Sequence, residues 1–131
     1  MLKRIDFLIN EKVDFAIETT LSSKNHLNTI AKAKEAGYEI TLLFFYLNSV
    51  ELAKERVKIR VSKGGHNIPE NVTERRYTRG LENFWKFKLF YDNWYFYDNS
   101  EKEAILVCDG IKKITNIKNE VIFNQIKNYD R

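Results

Sequence analysis

The sequence has a single cysteine, Cys108, and only two histidines, His26 and His66. One cysteine excludes an internal disulfide and leaves no cluster to hold zinc. The two histidines stand far apart without carboxylates at metal-ligand spacing, so no metal site is expected. A reducing, cytoplasmic setting follows from this cysteine usage. No apolar run approaches the length of a membrane span, and the first residues, MLKRIDFLINEK, are charged throughout, so neither a span nor a signal peptide is expected. G-x-S-x-G is missing, and Cys108 closes the apolar run Ala104-Ile105-Leu106-Val107, where it reads as core rather than nucleophile. Without repeats, low-complexity tracts or linkers, residues 1–131 read as one domain. At 44% hydrophobic and 14% aromatic residues, disorder is excluded.

What is present is a local excess of positive charge. From Arg56 to Gly80 the chain carries a net +5, more than the +4 of the whole sequence. Arg56 and Arg60 are four apart, as are Arg75 and Arg79, so each pair projects from one face of its helix. Lys63, Gly64, Gly65 and His66 form the turn between the two helices, with glycine allowing backbone angles other residues avoid, and Pro69 suits the first turn of the second helix. A mobile hairpin of this kind, over about 56–83, reads as a phosphate-closing lid, because planar guanidinium groups match phosphate oxygens. The other reading is a solvated face on which Glu70 and Glu74 pair with the basic residues. The pI near 9.1 raises nucleic acid as a partner, but the aromatic residues fall at core spacing, and nucleic-acid binding is not expected.

The rest of the chain reads as α/β. A helix over 2–12 buries Leu2, Ile5, Leu8 and Ile9, and Val13 to Ile17 form a short buried strand that ends in Glu18, Thr19, Thr20, Leu21, Ser22 and Ser23. Hydroxyls and a carboxylate at the C-terminal end of a strand mark the ligand edge of an open sheet, although Ser22 or Ser23 also suits the cap of the next helix, about 24–36. Residues 38–47 form a nearly unbroken apolar strand, as in sheets covered on both faces. Asn48 or Ser49 caps a helix running on from Val50. A second long helix runs from Pro69 to about Tyr91. Strands over 94–100 and 104–108 form a hairpin, and a last helix spans about 117–129.

FAIETTLSS after a helix, AGYEITLLFFYL, ELAKERVKIRV, KGGHNIPENVTERRYTRGLENF and WYFYDNS, in this order and spacing, resemble the zeta-toxin-like family of P-loop small-molecule kinases over roughly residues 1–110. The resemblance implies a three-layer kinase-like fold with a mainly parallel sheet, a basic helical lid and a C-terminal hairpin plus helix. It further implies ATP and Mg²⁺ as cofactors, transfer of the γ-phosphoryl group to a hydroxyl, some members acting on sugar nucleotides, and a toxin–antitoxin setting. Carried over residue by residue, Glu18, Thr19, Thr20 and Ser22 line the acceptor side, and Arg60, Arg75, Arg76 and Arg79 reach the nucleotide phosphates, with Arg56 in the same lid. The resemblance thus favours the lid over the solvated face.

The family's G-x-x-x-x-G-K-[ST] loop, whose backbone amides and Lys hold the phosphates, has no counterpart in this sequence, and Gly64-Gly65 is no substitute. The chain therefore reads as the C-terminal portion of such a kinase, incomplete in its fold and inactive alone. In the family's strand order the P-loop strand lies between the strands placed at 13–18 and 40–47, so the sequence predicts either direct pairing of these two or self-association that fills the gap. A non-catalytic module that uses the basic hairpin for a polyanion or a protein partner is the alternative function.

Overall fold

A computed structural model describes residues 2–111 and 114–130. Met1, Lys112, Lys113 and Arg131 of the expected domain lie outside the described residues, as does the side chain of Leu2. In chain order the elements are α1 (Leu2–Glu11), α2 (His26–Glu35), β1 (Thr41–Tyr46), α3 (Val50–Ser62), α4 (Glu70–Phe87), a 3₁₀ turn (Lys88–Phe90), β2 (Asn93–Asp98), β3 (Ile105–Ile111), β4 (Ile114–Ile117) and α5 (Glu120–Lys127). The sheet runs β1-β2-β3-β4, with β1 and β2 parallel and the other two pairs antiparallel. It is thus mixed rather than mainly parallel, because only one connection is a crossover and the later strands return through short turns. The expected hairpin is present as β2–β3, while β4 was not read from the sequence.

The crossover from β1 to β2 is the basic hairpin itself, α3 and α4. Ser49 caps α3 by accepting from the Leu52 N–H at 3.1 Å. At the far end Gly64, at φ +95°, turns the chain, and Gly65 donates its N–H to the Arg60 carbonyl at 2.8 Å. A Cβ at Gly65 would lie 2.9 Å from that same oxygen, so the position accepts only glycine without a backbone shift. Lys54 and Lys58 on α3 pair with Glu74 and Glu70 on α4, at 2.7 and 3.5 Å, which sets the two helices antiparallel.

Alternation along β1 sends Leu42, Phe44 and Tyr46 toward the core and Leu43 and Phe45 to the opposite face. The core is aromatic: Phe84 of α4 packs edge-on against Trp94 and Phe96 of β2, and Phe44 stacks on Phe96 at 5.0 Å. Phe84, Trp94 and Phe96 are wholly buried, and truncating one to Ala should cost about 3–5 kcal/mol. Trp85 donates its indole N–H to the Ile126 carbonyl at 2.8 Å, which fastens α5 to α4. Tyr77 does the same for α4 and the end of β1, donating to the Leu47 carbonyl at 2.6 Å.

Three expectations are corrected. Residues 13–18 form no strand, because an isolated extended segment has no ladder partner here. They do not close onto β1, which pairs on one side only, with β2. Nor is β1 covered on both faces, since Leu43 and Phe45 are each 52% exposed.

Candidate functional site

Residues 18–23 reach α4 through a tight turn. Leu21 sits in the left-handed region at φ +57°, a conformation that costs a non-glycine residue energy and needs support. Support comes from three sources. Leu21 is 2% exposed within the core. Its N–H donates to Thr19 Oγ1 at 3.1 Å, and its carbonyl accepts from Asn83 Nδ2 of α4 at 2.7 Å. Thr20 and Ser22 share a hydrogen bond between hydroxyls at 2.7 Å. Ser22 and Ser23 were candidate caps for α2, but Asn25 occupies that position, with no side-chain cap bond. Ser22 is instead held by its hydrogen bond with Thr20.

The Thr20 carbonyl passes so close to α4 that a Cβ on Gly80 would lie 3.1 Å from it. A glycine inside an exposed helix costs about 1 kcal/mol relative to Ala, and here it makes room for the loop. Gly80 and Asn83 thus place the hydroxyl-bearing loop, and neither was singled out from the sequence. Their signal was a helix-interior glycine followed at i+3 by an amide side chain.

Gly80 fixes where the α4 arginines lie relative to that loop. Arg76 is one helical turn before Gly80 on the same face, and Arg79 is its neighbour in sequence. Arg75 and Arg79 share an adjoining stripe. Arg60 stands elsewhere: the Lys54–Glu74 and Lys58–Glu70 pairs put it near the Gly64-Gly65 turn, about 16 Å along the hairpin from Arg79 at 1.5 Å per residue. Arg56 is half-buried and donates from Nη2 to the Ser100 carbonyl at 3.0 Å, so it ties α3 to the β2–β3 turn. Lys63 and His66 are exposed in the turn.

Glu70 and Glu74, the carboxylates expected to neutralise the basic face, are taken by lysines. Among the described residues, Arg60, Arg75, Arg76 and Arg79 are exposed and in no ion pair or side-chain hydrogen bond. Those of α4, Arg75, Arg76 and Arg79, are forked donors on the helix that the hydroxyl loop approaches, and such donors suit an anionic group such as phosphate. The Mg²⁺ expectation has no equivalent support, since the described residues contain no group of three or more His, Cys, Asp or Glu able to hold a metal ion.

Burial shifts several groups around this frame. Tyr77 is pushed well above its ordinary value by burial beside Tyr46, and Tyr91 up to about 12. The Cys108 thiol rises to about 12 by burial, which agrees with a core role. His26, packed between Phe87 and Tyr91, is lowered by desolvation against a smaller opposing effect of its hydrogen bond with the Ser23 backbone.

A family model for zeta toxin matches residues 2–107. The chain belongs to the zeta toxin family. That family is one of kinase-like, nucleotide-binding proteins, and the matched region includes both the hydroxyl loop and the α3–α4 hairpin. An uncharacterized protein of Haemophilus influenzae is 37% identical over 71 residues, which cover 54% of this chain and 51% of that protein. The chain thus matches about half the length of this curated relative. No solved structure matches it. Among the described residues, no helix of this zeta toxin family member is long and apolar enough to cross a membrane.

Proposed function

We propose that this chain supplies the acceptor-binding loop and the phosphate-clamping lid of a phosphoryl transfer from ATP to a hydroxyl group, a sugar nucleotide being one acceptor class. The observation that carries the reading is the close packing of Thr20 against Gly80. It sets Thr19, Thr20 and Ser22 beside a helix whose Arg76 and Arg79 have no protein partner. Phosphoryl transfer is mostly positioning plus stabilisation of charge on the moving group. Arg76, Arg79 and Arg75 hold phosphate oxygens by charge-assisted hydrogen bonds. Arg60, nearer the lid tip, reaches them as the hairpin closes. Glu18 and the loop hydroxyls orient the acceptor hydroxyl. ATP, when bound, provides the phosphoryl group to be moved.

The residues fit the phosphate end of such a nucleotide and not a resident metal, so Mg²⁺ would arrive with the nucleotide. No G-x-x-x-x-G-K-[ST] occurs in the sequence, and the amides and Lys of such a cradle supply much of the phosphate binding. This chain alone therefore binds ATP weakly and turns over little or none. Calorimetry with Mg-ATP should give a dissociation constant above about 100 μM, equivalent to less than about 5.5 kcal/mol. A low-micromolar value would overturn the claim that the cradle is needed. NMR titration with ATP and with UDP-sugars should shift the Arg76, Arg79 and Thr19–Ser22 resonances together. Shifts at neither segment, with every nucleotide tried, would remove the phosphoryl-transfer reading.

A further inference from the structure

Among the described lysines only Lys54 and Lys88 are not exposed, and Lys54 is held by Glu74 at 2.7 Å. Lys88, just past α4, is in no ion pair among the described residues. Its Nζ stands 4.7 Å from the ring centroid of Trp94 and 5.3 Å from that of Trp85, so the amine is walled by the chain's two tryptophans. Indole faces attract an ammonium, but they replace water poorly as its solvent. Burial is the larger effect here and lowers the Lys88 pKa against the opposing charges of Asp130 and Cys108. Lys54 moves the other way, raised chiefly by its hydrogen bond with Glu74. A lysine desolvated by aromatic walls carries more of its amine as the neutral nucleophile than an exposed one does.

One wall of this slot is itself unsatisfied. The Trp94 side chain is wholly buried, and its Nε1–H has no acceptor among the described residues. An orphaned buried donor is costly. An ammonium offers only donors and cannot relieve it, whereas an amide made on Nζ sets a carbonyl oxygen beside that indole. We propose that Lys88 is a site of acylation, its amine taking a small acyl group from an acyl phosphate or a thioester into the slot between Trp85 and Trp94. The Nζ lone pair attacks the acyl carbon, the bond from that carbon to the phosphate oxygen or thiol sulfur breaks, and phosphate or thiolate leaves with the electron pair. The amine's proton goes to solvent. The product is a neutral amide, so the cation over the two rings is lost. The inference goes beyond the phosphoryl-transfer reading and uses none of its arginines or loop hydroxyls.

The test uses the full chain with acetyl phosphate in one arm and S-acetyl-N-acetylcysteamine, a small thioester, in the other. Peptide mass mapping against time should show Lys88 acetylated about fivefold faster than the exposed lysines at about pH 7.5, an advantage that shrinks toward about pH 10 as they too lose their protons. Tryptophan emission should change in step with Lys88 occupancy, since both emitters flank it. The donor that fills the site faster is the source. Lys88→Arg keeps the charge and removes the nucleophile, so the fast phase and the emission change should both vanish. The map is read on the wild-type chain, so the proposal is decided even if that variant fails to fold. Acetylation of Lys88 no faster than of the exposed lysines, an advantage that persists in denaturing urea, or emission unchanged as Lys88 fills would each overturn it, the second by assigning the reactivity to local sequence.

Discussion

Asn83, in the middle of α4, donates its side-chain amide to the carbonyl of Leu21, 62 residues earlier, at 2.7 Å. This bond anchors the left-handed turn at Leu21 to α4.

Asn83→Ala leaves the partly buried Leu21 carbonyl without its donor, and the chain should lose about 1–3 kcal/mol of stability. A urea melt measures this. Nucleotide or acceptor binding at the loop should weaken with it, while Asn83→Asp, which cannot donate, should resemble Ala. A melt unchanged by both substitutions would show that the turn holds without this bond.

Gly80→Ala should not yield the usual gain of about 1 kcal/mol for removing a helix-interior glycine, because its Cβ meets the Thr20 carbonyl at 3.1 Å. The gain should reappear when Asn83→Ala has freed the loop to move. A double-mutant cycle reads the coupling directly, and strict additivity would contradict the geometry.

Arg76→Ala and Arg79→Ala remove exposed groups with no partner among the described residues, so the melting temperature should stay within the noise of surface substitutions. Both should weaken nucleotide binding in a manner that flattens its salt dependence. If binding is instead to generic polyanions, mixed DNA and RNA should shift on a gel at low salt and be released steeply as salt rises. A silent gel removes that alternative.

His26 should set the acid side of the stability curve. Its folded value lies below the ordinary 6.5, chiefly by desolvation, so below about pH 6.5 the unfolded chain binds the extra proton first. Stability is therefore full above that pH and falls as pH drops. His26→Phe should flatten the profile between about pH 5 and 7, as read from guanidinium melts at each pH. On the alkaline side Tyr91, raised to about 12 by burial, stays protonated after the unfolded tyrosine ionises near 10. Stability should fall from pH 10 to 12, and less steeply in Tyr91→Phe.

Cys108 should resist alkylation at pH 8 until the protein unfolds, because its thiol is buried and pushed up to about 12. Its modification rate should track global unfolding across a urea series. Fast modification of the native chain would mean that β3 opens locally.

Much of the helical architecture was legible because its signals are local. The β1 run, the Ser49 cap, the Gly64-Gly65 stop and the hairpin of β2 and β3 each depend on residues within a few positions, and all occur where the sequence places them. The failures share a cause. Val13 to Ile17 has strand composition, but a strand exists only through a neighbour, and nothing in those five residues says whether the neighbour is present. Ser22 and Ser23 look like caps, yet the chain at Leu21 turns toward Asn83 before α2 begins.

By itself the sequence determined the order of the helices and of β1 to β3, the confinement of the basic charge to one crossover, and the lack of a glycine-rich phosphate loop, since each is a property of composition and short-range pattern. Only the tertiary structure decided which basic residues are free. Lys54 and Lys58 take Glu74 and Glu70 across the hairpin, and Arg56 is spent on Ser100, while Arg76 and Arg79 have no ion pair among the described residues, on the helix whose Gly80 meets the Thr20 carbonyl. Those pairings depend on how α3 is rotated against α4 and on how close Gly80 lets the loop approach. Such distances are set by packing across 12 to 62 positions of chain, beyond the reach of any local rule.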